Sequence, residues 1–302
     1  MSLLVKQILE LGERQLREQG IADSQRDAKL LYCYMNNINT AALILEYQQT
    51  LQDVLCDKYF ELIDRRSLGE PLQYITGTQE FMGYEFNVDK RVLIPRQDTE
   101  TLVELAVEYI KEGKLMGNAV EGASKKNTKI LDLCCGSGAI GISLSKLIPS
   151  LKVTLSDMSQ DALDVAKANG NKLGVAKNVA FKCGNLFEPF KKRFGKERFD
   201  VIVTNPPYIP SSVIDTLQKE VKDFEPRSAL DGGISGLDFY TEIVRESKNH
   251  LNPKGALFME IGHDQGDSIK TLLENDGNYQ NVEIFKDLAG HDRVVFALLK
   301  KM

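Results

Sequence analysis

Lys129-Ile130-Leu131-Asp132-Leu133-Cys134-Cys135-Gly136-Ser137-Gly138-Ala139-Ile140-Gly141 carries a short apolar strand through a glycine-bearing turn into a helix that continues to Leu147. Glycines at such a junction let backbone approach a ligand closely. Outward from it the pattern alternates: Val153-Thr154-Leu155, a helical run from Asp161 to Leu173, then Val179-Ala180-Phe181 and Val201-Ile202-Val203. Ala256-Leu257-Phe258-Met259 follows, and Val282-Glu283-Ile284 with Arg293 to Leu299 form a last strand pair. Alternation of this kind specifies an α/β fold with a mainly parallel, doubly wound sheet.

Upstream the period changes. Residues 1 to about 66 read as helices, with one apolar stripe at Leu4, Ile8 and Leu11 and another at Leu51, Val54, Leu55, Tyr59, Leu62 and Ile63. Asp23 stands where an N-cap would precede Ala28, Leu31, Tyr32 and Met35. Gly69-Glu70-Pro71-Leu72 is a turn signal, and Gln73 to Asp89 is rich in strand formers, broken by Gly77 and Gly83. We therefore expect a helical domain over 1–72, a β-hairpin linker over 73–90 and the α/β domain over 91–302. Thr101 to Lys111 is helical by period, and Gly113 to Thr128 reads as a loop.

Composition excludes several classes. Apolar residues at 42% and charged residues at 27% support a sizeable core. Thirty-eight basic against 43 acidic side chains, a net charge of -5, do not supply the positive field that steers proteins onto nucleic acid, so no direct nucleic-acid binding is expected. No signal-peptide core or uninterrupted apolar run of about 18 residues is present, so a cytoplasmic location without a membrane span is expected. Cys33, Cys56, Cys134, Cys135 and Cys183 show no Cys-x-x-Cys spacing, and three histidines form no short-range cluster with them, so no metal is expected.

Gly136, Gly138 and Gly141 formally satisfy the dinucleotide spacing, so the turn alone leaves the cofactor open. Asp157, 19 residues after Gly138, is placed to accept both ribose hydroxyls of either adenosine cofactor, although an Asp there also suits a helix cap. Gly184-Asn185-Leu186 follows the third strand, where Asn185 can meet an adenine edge and an apolar neighbour can cover its face. The adjacent Cys134 and Cys135 read as close-packed, inert thiols.

Phe199-Asp200-Val201-Ile202-Val203-Thr204-Asn205-Pro206-Pro207-Tyr208 separates methyl transfer from hydride transfer. Two prolines after a buried strand fix φ and remove two N–H donors, so carbonyls there are free to face a ligand. An amide or aromatic amine is a poor nucleophile because its lone pair is delocalised. If Asn205 Oδ1 and the Pro206 carbonyl each accept one N–H, that pair turns toward a methyl sulfonium, and positioning with fixed dipoles does the catalysis. Tyr208 would lie against the planar group. The motif alone does not separate glutamine from adenine.

These residues resemble the glutamine methyltransferases that modify peptide chain release factors (PrmC/HemK). The likeness extends through Gly69 to Gly77, Phe81-Met82-Gly83, Leu93-Ile94-Pro95-Arg96 with Thr99-Glu100, Glu225 to Gly233, Gly236-Leu237, Glu260-Ile261-Gly262 with Gln265-Gly266, and Asp287 to Gly290 with Asp292-Arg293. The resemblance implies a Rossmann-like class I S-adenosylmethionine methyltransferase domain with a seven-stranded, mostly parallel sheet. It implies a monomer that methylates the glutamine side chain of a Gly-Gly-Gln motif in release factors, releasing S-adenosylhomocysteine, with the N-terminal helices gripping the protein substrate. By position it assigns the cofactor to Arg96, Cys134, Cys135, Gly136, Ser137, Gly138, Asp157, Asn185, Leu186 and Asn205. It assigns substrate binding to Asn205, Pro206, Pro207 and Tyr208, with catalysis by Asn205, Pro206 and Tyr208. The family usually has Gly where Cys134 stands, commonly has Asp at Asn185, and usually has Pro-Glu at Gln97-Asp98.

Overall fold

A computed structural model describes residues 3–112, 128–191 and 196–301, so nearly all of the loop expected over 113–128 lies outside the described residues. The chain divides into two units, Met1–Thr78 with Gln218–Phe224, and Gln79–Leu217 with Glu225–Met302.

The first unit contains α1 (Val5–Glu18), α2 (Ser24–Asn36), α3 (Thr40–Glu46), α4 (Asp53–Ser67) and α5 (Leu72–Thr76). The buried stripe on α1 is Val5, Ile8, Leu9, Gly12 and Leu16, not Leu4, Ile8 and Leu11; Leu11 is exposed. Gly12 is the cause: a Cβ there would lie 2.4 Å from Tyr59 Oη, so α1 turns its bare backbone toward the Tyr59 ring. On α4, Tyr59 and Ile63 are buried as expected, whereas Val54 is exposed. Asp23 does occupy the N-cap of α2 but makes no capping hydrogen bond. Residues 73–76, read as the start of a hairpin, belong instead to α5, which runs between Pro71 at the N-cap and Gly77 in the left-handed region.

Arg66, 6% exposed, anchors the segment 218–224 to this unit. Its Nε donates to Asp27 Oδ2 at 2.7 Å and Nη1 to the Glu70 carbonyl at 3.2 Å, while Nη2 pairs with Glu220 at 2.8 Å. A buried cation is tolerable only when its donors are matched in this way.

The second unit opens with a hairpin of β1 (Thr78–Phe81) and β2 (Tyr84–Asn87), followed by α6 (Glu100–Lys111). Then come β3 (Lys129–Leu133), α7 (Ala139–Leu147), β4 (Lys152–Asp157), α8 (Gln160–Lys172), β5 (Val179–Cys183) and β6 (Phe199–Thr204). After the single turn α9 (Lys219–Lys222) of the first unit, the chain continues with α10 (Asp238–His250), β7 (Leu251–Glu260), α11 (Gly266–Asp276), β8 (Tyr279–Lys286) and β9 (Asp292–Leu299). Seven strands form one sheet in the order β5-β4-β3-β6-β7-β9-β8, the expected architecture. The first five are mutually parallel, while β9 runs antiparallel to β7 and to β8.

Side chains alternate across this sheet with a period of two. Ile130, Val201, Val203, Phe258 and Phe296 join the core beneath α6 and α7, whereas Leu131, Leu133, Ile202, Leu257 and Val295 join the one beneath α10 and α11. Both faces are covered, which is why the strands read as continuous apolar runs. Buried Asn169 on α8 links three segments: its Nδ2 donates to the Asn87 and Ser137 carbonyls at 3.0 and 2.9 Å, and its Oδ1 accepts from Asn87 N–H at 2.7 Å.

Asp27→Ala leaves Arg66 with one carboxylate fewer in a buried setting. Urea unfolding of the variant is expected to show a loss of about 3 kcal/mol.

Candidate active site

Register decides which residues gather. Leu133 pairs with Ser156 on β4 and with Thr204 on β6, and Asp157 pairs with Cys183 on β5. Cys134, Asp157, Gly184 and Asn205 therefore leave the sheet along one carboxyl edge. The strand order reverses between β3 and β6, the switch point where α/β sheets open a crevice. A cleft occupies that crevice, with Leu133, Ile140, Leu186 and Phe239 among its apolar walls.

At the glycine turn the backbone is left-handed at Cys134 (φ 60°), Gly136 (φ 52°) and Gly138 (φ 80°). A Cβ on Gly138 would lie 2.8 Å from both Ile142 Cδ1 and Leu155 Cδ2, so helix α7 can start there only on a glycine. Cys134 has no such excuse: an L side chain in this region costs roughly 1–2 kcal/mol. Burial, with the charges of Asp157 and Asp132 nearby, raises the Cys134 thiol and keeps it protonated.

Asp157 Oδ2 accepts from Gly136 N–H at 2.9 Å and Oδ1 from Ser159 N–H at 2.9 Å. It thus braces the turn from the cleft lining. Burial raises its pKa, opposed by these backbone donors. Ser156, beside it in the cleft lining, has a buried hydroxyl with no partner among the described residues. Asp132, fully buried on β3, accepts from Gly141 N–H at 2.8 Å, and burial pushes its carboxyl up to about 7.

On the opposite wall, β6 delivers Asn205 and two buried prolines. Two glycines press on the next residue: a Cβ at Gly232 would lie 2.7 Å from Tyr208 Cα, and one at Gly236 would lie 2.4 Å from the Tyr208 carbonyl oxygen. That carbonyl accepts from Gln265 Nε2 at 3.0 Å. The Tyr208 ring packs on the core that includes Leu133, Ile202 and Tyr240. Burial, then the Glu260 charge, pushes its hydroxyl up to about 12, so Tyr208 is neutral and not a base.

Of the residues singled out from sequence, Cys134, Cys135, Ser137, Asp157, Asn185 and Leu186 line the cleft, as do Arg96, Asn205 and Pro207. Gly136 and Gly138 shape the turn, while Pro206 and Tyr208 are not part of the lining. Arg96 reaches the cleft with its guanidinium paired to the buried Glu225 carboxylate. Thr99, Met158 and Phe239 also line it and carried no assigned role in the sequence. Met158 adjoins Asp157 and was inferable from that; Phe239 arrives on α10 with no local motif to mark it. Among the described residues, no cluster of three or more His, Cys, Asp or Glu is arranged to hold a metal ion.

Residues 124–290 match the family model for a methyltransferase domain, and residues 7–77 that for the PrmC N-terminal domain. Human methyltransferase 10 domain containing protein shares the fold, with a TM-score of 0.52 at 15% identity over 80% of this chain and 97% of its own. The chain is thus a class I methyltransferase by fold and by domain. It is 39% identical to the release factor glutamine methyltransferase of Clostridium acetobutylicum over 94% of each chain. To that of Clostridium botulinum it is 38% identical over 98% of this chain and 99% of the relative. The chain belongs to the release factor glutamine methyltransferase family.

Replacing Cys134 by Gly should relieve the left-handed strain. Thermal unfolding of Cys134→Gly is expected to show a gain of about 1 kcal/mol. A second expectation concerns pH. Asp132 keeps its proton up to about pH 7 when folded, against roughly 3.9 unfolded. The folded state therefore binds more protons in between, so this contribution is full below the lower value and is lost as pH rises through the upper one. Asp132→Asn keeps the acceptor for Gly141 and does not titrate. Its stability relative to wild type should rise by on the order of 2 kcal/mol from about pH 5 to pH 8, read by urea unfolding.

Proposed function

We propose that the cleft binds S-adenosylmethionine and that the chain transfers its methyl group to the side-chain amide nitrogen of glutamine in the Gly-Gly-Gln motif of a release factor. The observation that carries this reading is the shared edge. Asp157 and the 134–138 turn face Asn205 across one cleft, so a donor site and an amide acceptor site adjoin.

The residues fit the donor. Asp157 retains lone pairs for two ribose hydroxyls, Ser156 Oγ is an unsatisfied polar group at that end, and Leu186 and Asn185 offer an apolar cover and a polar edge for adenine. S-adenosylmethionine, when bound, supplies an electrophilic methyl group on a positively charged sulfur. Asn205 Oδ1 and the Pro206 carbonyl accept the two amide N–H groups of the glutamine, which turns the nitrogen lone pair toward that methyl. The nitrogen would take that methyl while the C–S electrons stay on sulfur, and one N–H proton would pass to water, giving N-methylated glutamine and S-adenosylhomocysteine. The neutral Tyr208 packs on the core beside this segment and does not take that proton.

A protein substrate is supported by the net charge of -5 and by Ile44, Leu45, Val54 and Leu68, each at least 64% exposed on the first unit. We assign the helices of residues 1–72 to gripping the release factor, with 73–90 as linker and 91–302 as the catalytic domain. No helix among the described residues is long and apolar enough to cross a membrane. We place the enzyme in the cytoplasm, where release factors act, as a monomer.

Full-length chain, release factor and labelled methyl donor should give one added methyl on the Gly-Gly-Gln peptide by mass spectrometry. Incorporation only into duplex DNA offered in parallel would sink this reading in favour of adenine. Asn205→Ala should bind the cofactor within about threefold of wild type by calorimetry while kcat falls on the order of 100-fold, the usual cost of one preorganised polar group.

A further inference from the structure

An amide side chain has two ends of similar shape, one donating and one accepting, and only one orientation of Asn205 serves its proposed role. Packed against Asn205 stand Thr99, itself part of the cleft lining, and Glu260, which is not. Asn205 Nδ2 donates to Thr99 Oγ1 at 3.4 Å, and both side chains come near enough to the Glu260 carboxyl to lower its pKa by hydrogen bonding. Glu260 is the last residue of β7, 2% exposed, and its Oε2 has no partner among the described residues. Its backbone is held as well, since Tyr240 Oη donates to the Glu260 carbonyl at 2.7 Å.

A carboxylate can only accept. It takes the Thr99 hydroxyl hydrogen, which leaves the lone pairs of that hydroxyl facing Asn205. Both neighbours then demand a donor, so the NH2 end of Asn205 turns inward. Rotating the amide by half a turn would set its carbonyl oxygen against two sets of lone pairs and leave a buried acceptor unmatched.

We propose that Glu260 is a positioning residue for methyl transfer: directly and through Thr99, it fixes Asn205 with Oδ1 toward the cleft, so that the site accepts a nitrogen bearing hydrogens. This rests on the reading of Asn205 as acceptor for the substrate amide. The consequence is a choice of substrate chemistry. Primary amides and amines are matched, whereas a carbonyl oxygen or a fully substituted nitrogen would meet Oδ1 with no hydrogen to offer. Burial raises the Glu260 pKa to about 7, with Arg293 opposing and Asp98 reinforcing; its partners Thr99 and Asn205 further favour the ionised form that this role needs.

Glu260→Gln is close in shape and offers an N–H as readily as an oxygen, so it no longer dictates the orientation. Full-length Glu260→Gln should bind S-adenosylmethionine within about threefold of wild type by calorimetry, yet transfer methyl at least tenfold more slowly in single turnover. In an Asn205→Ala background the same change should slow transfer no further. Thr99→Val should behave likewise with a smaller loss, and it decides the matter alone if Glu260→Gln does not fold. A readout independent of turnover is hydrogen exchange of the Asn205 side-chain NH2, assigned in NMR spectra by its loss in Asn205→Ala; it should be at least tenfold faster in Glu260→Gln. Equal slowing with and without the Asn205 amide, or unchanged exchange, overturns the role of Glu260. A wild-type enzyme that methylates no glutamine, while Glu260→Gln still frees the Asn205 amide, overturns the functional reading and upholds the positioning.

Discussion

Strand β3 pairs with β4 on one side and β6 on the other, and everything in the cleft depends on that double pairing. Because Leu133 stands opposite both Ser156 and Thr204, the glycine turn, Asp157 and Asn205 all begin one residue beyond the same line. A one-residue slip would do more than displace the edge. It would move Leu131 and Leu133 to the face that now takes Ile130, and set the Asp132 carboxyl in the opposite apolar core. The cost of that exchange, a charge or a proton forced into a layer with no donor like Gly141 N–H to meet it, is what pins the register. The site is therefore an outcome of core packing before it is an outcome of any motif.

The two walls of the cleft are stiff for different reasons. Along the glycine turn, backbone in the left-handed region is held by the Asp157 carboxylate and by Asn169, which ties Ser137 to the hairpin at Asn87. After β6, proline rings limit the backbone, and Gly232, Gly236 and Gln265 close on Tyr208 so tightly that no side chain fits between. Neither wall relies on long side chains reaching out into solvent. Preorganisation of this kind suits a reaction in which the protein mainly aligns two groups.

What the sequence made legible was local. The strand, glycine turn and helix of 129–147, the aspartate after the next strand and the proline pair after β6 each carry their meaning within a few residues, because turn geometry is a short-range property. What it hid was tertiary. The stripe on α1 was misread because Gly12 carries no apolar side chain to count, although Tyr59 makes it a core position. Helix α5 was misread because Pro71 and Gly77 punctuate turns and short helices alike, and Tyr74, Ile75 and Thr76 favour strands. Thr99 and Glu260 lie 106 residues before and 55 after Asn205 in the chain. Only the folded sheet sets them behind it.

Cys134 shows how a departure from a family pattern can be absorbed. Its left-handed φ explains why glycine is the usual occupant, yet the turn around it is over-determined: Cys135 N–H donates to the Ser156 carbonyl at 3.0 Å, Gly136 N–H to Asp157 at 2.9 Å, and Gly138 N–H to the Cys135 carbonyl at 2.8 Å. Three bonds from three of the next four residues outweigh a strain of about 1–2 kcal/mol, so the conformation survives the side chain. The thiol itself is kept protonated by burial and by neighbouring carboxylates, and it adds no nucleophile to the cleft. The substitution therefore acts on stability and on the room left for a ligand beside the turn.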